Sequence, residues 1–189
     1  MNRFTVVLDA CVLYPASLRD LLMWMAVAGL YRARWTETTL GEWSRNLLAN
    51  RPDLNERALL RTRQLMNESI LDAVVTGHES LIAGLELPDP DDRHVLAAAI
   101  RSGAAAIVTY NLKDFPNEVL SDYGVEALHP DDFLLHQVGL APGAVAAAVK
   151  HHRASLKNPP RSVEEYLDTL ECQQLPKAAA RLRDFAALI

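Results

Sequence analysis

PDPDDRHVLAAAIRSGAAAIVTYNLKDFP, from Pro88 to Pro116, is the stretch from which the fold is read. Asp89, Asp91 and Asp92 stand where a helix N-terminus favours acids, and Gly103 stands where a helix ends. Ala105 to Thr109 then reads as a short buried strand. Upstream, Phe4 to Leu8 is a β-branched and apolar run closed by Asp9, the pattern of a strand buried on both faces of a parallel sheet. After the turn at Pro15, apolar spacing predicts a helix over Leu18–Ala28, ended by Gly29. Trp35 leads into a second helix from Thr36 to Leu48, and a further helical pattern runs from about Asn55 to Met66. Ile70 to Val75 reads as a strand, as does a segment near Val125 to Leu128. Strands alternating with helices imply a parallel α/β sheet with right-handed crossovers, whose ligands gather at the carboxyl ends of the strands.

Past Gly139 the pattern becomes an Ala-rich helix ending near Leu156, then the breaker Asn158-Pro159-Pro160, then two more helical patterns separated by Pro176. Ser162 and Glu165 have capping-box spacing. We therefore divide the chain into an α/β domain over 1–138 and a helical extension over 139–189.

With 189 residues, half of them hydrophobic, the chain can bury a substantial core. Its apolar runs, such as Val95 to Ile100, are cut by charge well short of a membrane span. The opening MNRFTVVLDACVLYP does not resemble a secretory leader, so a cytoplasmic location is expected. Cys11 and Cys172 have neither disulfide nor zinc-ribbon spacing and give no functional lead. His151 and His152 are adjacent, point about 100° apart on a helix and read as a solvated face. No GxGxxG, P-loop or G-x-S-x-G motif is present, which disfavours dinucleotide, nucleotide triphosphate and serine-hydrolase chemistry. A net charge of −5 lacks the basic footprint of a nucleic-acid binder, although acids converging on a metal would be neutralised locally.

The acids carry the chemistry. Asp9 ends the first strand, where it serves either a ligand crevice or its own turn. Glu42 either joins a site or completes a capping box with Thr39, and Asp92 is either a site acid or an ordinary first-turn acid. Asn111 and Asp114 follow the strand that ends at Thr109. The topology puts Asp9, Asp92, Asn111 and Asp114 on one sheet edge, which favours a common site over four separate turns. Two carboxylates about 4 Å apart repel by roughly 4 kcal/mol at an effective dielectric near 20, so such a cluster calls for protons or a cation. Oxygen ligands without Cys or His at metal spacing suit magnesium or manganese.

Together VVLDACVLYPASLRDLL, TETTLGEWSRNL, DPDDRHVLAAAI and IVTYNLKDF resemble the PIN-domain family over most of Phe4 to Leu135, closest to its VapC-like toxin branch. NPPRSVEEYLDTLE and LPKAAARLR resemble a helical extension of some of its members. The resemblance implies a Rossmann-like three-layer α/β/α sandwich plus C-terminal helices. It implies an endoribonuclease using Mg2+ or Mn2+, an RNA substrate and a cognate antitoxin, with a homodimer allowed for. By motif, Asp9 and Asp92 would bind metal and Glu42 would join them or orient water, with the last acidic position at Asn111 or Asp114. Thr109 and Arg19 are candidate substrate contacts, Arg19 either binding phosphate or, the favoured reading, pairing with Asp20 or a nearby acid. Lys150, Arg153, Lys157 and Arg161 could meet RNA or simply be solvated. The alternative is a non-catalytic PIN module that binds RNA or a protein.

Overall fold

The computed structural model describes residues 4–189; Met1 to Arg3, part of the opening stretch read above for a leader, lie outside the described residues. In chain order the elements are β1 (Thr5–Leu8), α1 (Ala10–Leu13), α2 (Ala16–Val27), β2 (Arg32–Arg34), α3 (Glu37–Asn50), α4 (Glu56–Ser69) and α5 (Glu79–Ile82). They continue as α6 (Arg93–Ser102), β3 (Ala106–Val108), α7 (Asn117–Leu120), β4 (Glu126–Leu128), α8 (Pro130–Leu140), α9 (Pro142–Ser155), α10 (Val163–Cys172) and α11 (Pro176–Arg183). The four strands form one parallel sheet in the order β2-β1-β3-β4.

Alternation along the strands divides the interior in two. Val6, Leu8 and Val108 face one core, while Val7 and Ile107 face the other, so the central strands β1 and β3 are covered on both faces, whereas the edge strands β2 and β4 carry the exposed Arg32 and Glu126. On the first side Leu18, Leu22 and Met25 of α2 and Trp43 of α3 pack with Phe133, Val149 and Leu170. On the second side Val95, Leu96 and Ala99 of α6 pack with Leu120 and Val125. The result is the three-layer α/β/α sandwich with additional C-terminal helices. Each large side chain fully buried in these layers contributes roughly 1.5–3 kcal/mol.

The helices beyond residue 139 share the first core. Tyr166, Leu167, Leu170, Ala178 and Leu182 belong to the same cluster as Val6 and Leu8. Asp131, at the start of α8, accepts hydrogen bonds from the backbone N–H groups of Lys177 (3.1 Å) and Ala178 (2.8 Å), capping α11 from another helix. Ser162 and Glu165 form the expected capping box of α10.

Three expectations are corrected. Ile70 to Val75 is not a strand: it meets β2's continuation through a single bridge, Trp35 to Val74, because Asp72 takes a left-handed φ of 62° that interrupts extension. The Thr39–Glu42 capping box does not form, since α3 starts earlier; Thr36 is its N-cap, accepting from Thr39 N at 3.0 Å, which leaves Glu42 inside the helix. His152 is not solvated but buried, with Nδ1 2.8 Å from the Tyr166 hydroxyl, whereas His151 is exposed and stacks on Trp24. The roughly 100° between neighbouring helical residues turns one imidazole inward and the other out.

Candidate active site

The carboxyl edge of the sheet carries the acids because β1 and β3 both end there. Asp9 follows β1 and is the N-cap of α1, accepting from Ala10 N at 2.6 Å. Its second oxygen accepts from the Thr109 hydroxyl at 2.7 Å and from the Cys11 thiol at 3.1 Å. The Thr109 hydroxyl in turn accepts from Asn111 N at 2.9 Å, so the end of β3 orients the carboxylate at the end of β1. Thr109 is fully buried, which directs its hydroxyl to Asp9 and away from solvent. Burial, and then the Asp9 charge, push the Cys11 thiol up to about 12.

Asp92 is in a different condition. Asp89 caps the 3₁₀ turn ahead of α6 by accepting from Asp91 N at 2.9 Å, and Asp92 makes no capping bond. One Asp92 oxygen is buried without a partner. Burial raises its carboxyl from an ordinary 3.8 to about 7, with the charges of Asp9, Asp89 and Asp114 adding to the effect. Oxygens of Asp89, Asp92 and Asp114 lie within 4.8 Å of one another. Asn111 donates its side-chain amide to Asp114, so the amide and the acid that sequence left as alternatives are hydrogen-bonded partners. An orphaned buried oxygen amid crowded like charges fits a hard divalent cation, which could be held by this triad.

Glu42 reaches the same cleft from α3, with Oε1 3.0 Å from Nε2 of the buried His94. The cleft encloses about 850 Å³ and is lined by Asp9, Glu42, Asp92 and Asn111 together with Arg45 and Tyr110. Arg19 is not among its lining residues: it is buried, pairs with Asp20 at 3.1 Å, donates to Leu13 O and lies over the Trp43 ring. Nor does the cleft draw on the four basic residues of the extension, of which Arg153 donates to Arg161 O at 2.8 Å and Arg161 to Thr169.

A PIN domain profile matches residues 5–113, more than half of the chain. The chain belongs to the PIN-domain family. Beyond the PIN domain, residues 130–184 match the VapC50 C-terminal domain. Over 111 residues the chain is 43% identical to the Mycobacterium tuberculosis protein named "Putative ribonuclease VapC50". That match covers 59% of this chain and 64% of the relative, so the chain spans less than two thirds of the relative it matches. No solved structure matches significantly.

Within this PIN domain, several groups at the site were not singled out in the sequence. Asp89 looked like a cap and is one, yet it also crowds Asp92. His94 stands two residues after Asp92, a spacing that carried no known signal. Cys11 contacts Asp9 only because α1 begins at once after β1. Arg45, exposed and three residues after Glu42, lies on the same side of α3 by helical periodicity alone and could have been found that way.

Proposed function

We propose that this chain is an endoribonuclease that hydrolyses RNA phosphodiester bonds with Mg2+ or Mn2+, acting as the toxin of a toxin–antitoxin pair. The observation that carries this reading is the convergence of Asp9, Glu42, Asp92 and Asp114 at the carboxyl edge of a PIN sheet, with an Asp92 oxygen left without a partner. The name of the Mycobacterium tuberculosis relative supports it.

Asp89, Asp92 and Asp114, with the charge of Asp9 close enough to raise the Asp92 carboxyl, would hold the ion. When bound, such an ion lowers the pKa of its water and stabilises charge on a phosphoryl oxygen. Thr109 and Ala10 fix the Asp9 carboxylate, and Asn111 fixes that of Asp114. Glu42, oriented by His94, faces the cleft as the acceptor for a proton from the attacking water. Arg45 offers a guanidinium to the phosphate on the same wall, and Arg19, tied to Asp20 and Trp43, serves the fold. The motive for a non-catalytic module is the amide of Asn111 together with the acidic net charge; the Asp114 carboxylate close to Asp92 favours the catalytic reading.

A cognate antitoxin and a cytoplasmic site of action belong to the same proposal. None of the described helices is long and apolar enough to cross a membrane. The test is cleavage of single-stranded and structured RNAs with Mg2+, Mn2+ or EDTA by the parent and by the Asp9→Asn, Asp92→Asn double variant. Metal-dependent cutting lost in the variant is expected; a parent that cuts nothing with any divalent ion, or a variant that cuts equally well, overturns the reading.

A further inference from the structure

The cleft's remaining wall comes from the extension. Cys172, Gln173 and Gln174, at the turn between α10 and α11, line the same cavity as Asp9 and Asp92. This turn is held against the catalytic edge: the Tyr110 hydroxyl, one residue past Thr109, donates to Gln173 O at 2.7 Å, and Asp131 caps α11 immediately beyond it.

Its backbone is unusual for the residues it carries. α10 ends in a Schellman arrangement, with Leu175 N donating to Leu170 O at 3.1 Å and Gln174 N to Glu171 O at 2.9 Å, and with Leu170 and Leu175 both fully buried. The residue after the cap therefore takes a left-handed φ of 62°, the position at which glycine is favoured. Here it is Gln174, exposed, so a long amide stands on the cleft wall at a conformational cost that glycine would avoid. Beside it, the side-chain oxygen of Gln173 is buried with no hydrogen-bond partner. Gln174 thus stands exposed on the cleft wall from outside the PIN sheet, and the half-buried Gln173 beside it lines the same wall with its amide oxygen turned away from solvent.

We infer that the Gln173–Gln174 turn is a base-reading element, which contacts an unpaired nucleobase of RNA held in the cleft and sets sequence preference at one position. A glutamine amide presents a donor beside an acceptor, the pattern that pairs with a base edge. Single-stranded RNA is read through splayed bases that stack on aromatic rings and bond along their edges, and Tyr14 and Tyr110 line this cleft. The extension thus supplies specificity while the sheet edge supplies chemistry. This inference rests on the ribonuclease reading above.

The test uses the full chain with Mg2+ and a pool of RNA oligonucleotides randomised through a single-stranded window, with cleavage sites read by sequencing. Parent, Gln173→Ala and Gln174→Gly are compared, and their thermal unfolding is measured alongside. Gln174→Gly is expected to unfold at the parent's temperature or above it, since glycine suits the left-handed position. Both variants are expected to lose preference at one base position by about tenfold while still cutting RNA. Retention of the parent's preference and rate in both variants overturns the inference and leaves the nuclease reading intact. A uniform gain at all sequences also overturns it, marking the turn as a cover. A parent that neither cuts the pool nor binds short homopolymer RNAs overturns the nuclease reading and this inference together.

Discussion

Asp9 and the Asp89–Asp92–Asp114 corner lie on the same edge of one sheet but in opposite electrostatic conditions. Asp9 has donors on both oxygens, supplied by Ala10, Cys11 and Thr109. The corner has mutual repulsion, and one Asp92 oxygen has no partner. Positioning and crowding are thus separated: backbone and hydroxyl donors fix one carboxylate, while repulsion among the others calls for a counter-charge.

The sharpest way to break this comparison is Asp92→Asn, which removes charge with little change of shape. RNA cleavage is expected to fall about 10²- to 10³-fold, measured under single-turnover conditions with Mg2+. An equal fall for Asp89→Asn would show that the cap and the site cannot be told apart. Next in size, Thr109→Val deletes the donor to Asp9 and His94→Ala the group oriented on Glu42. Each is expected to lower cleavage about 10- to 100-fold, with loss for Thr109→Val expressed also as weaker Mg2+ binding by calorimetry.

Stability gives a further contrast. Asp92 binds its proton more tightly folded, near 7, than at its ordinary 3.8, so the folded chain holds the extra proton between those values. The Asp92 contribution to the stability of the metal-free protein should therefore fall as pH rises from about 4 to about 7, and comparison with Asp92→Asn separates it from the opposing contribution of buried His152, whose pKa is lowered. Asp92→Asn should be more stable than the parent at pH 8 by about 1–2 kcal/mol, a figure reduced for the solvent that screens a half-buried group, and no different at pH 4. Denaturant titration in EDTA measures both. In the parent, Mg2+ at about ten times its Kd should restore about 1.4 kcal/mol, and Asp92→Asn should gain less. The smallest effect concerns thiols: with Cys11 pushed up to about 12, iodoacetamide at pH 8 should label the exposed Cys172 and leave Cys11 unmodified until the chain unfolds.

Much of the fold was legible because its signals are local. Apolar runs closed by Asp9 and Thr109, the acids before α6 and Gly103 after it need only neighbouring residues to be read, and each lies where expected within a residue or two. Ile70 to Val75 departs from its local β-branched pattern because the left-handed Asp72 backbone limits its pairing to one bridge, and neither feature is local to the pattern. The short helices α5 and α7, four residues each, are too brief to show a period.

The sequence by itself determined the parallel α/β order, the sheet edge on which the acids gather and the existence of a helical extension, because strand ends, caps and periodicity are properties of adjacent residues. Only the tertiary structure decided that Asp114 joins Asp92 while Asn111 holds it, that Arg19 is buried over the Trp43 ring, and that Gln173 and Gln174 reach the acidic cleft from about eighty residues beyond Asp92. Those outcomes depend on which buried faces meet across the first core, and burial is shared between distant segments rather than written in any one of them.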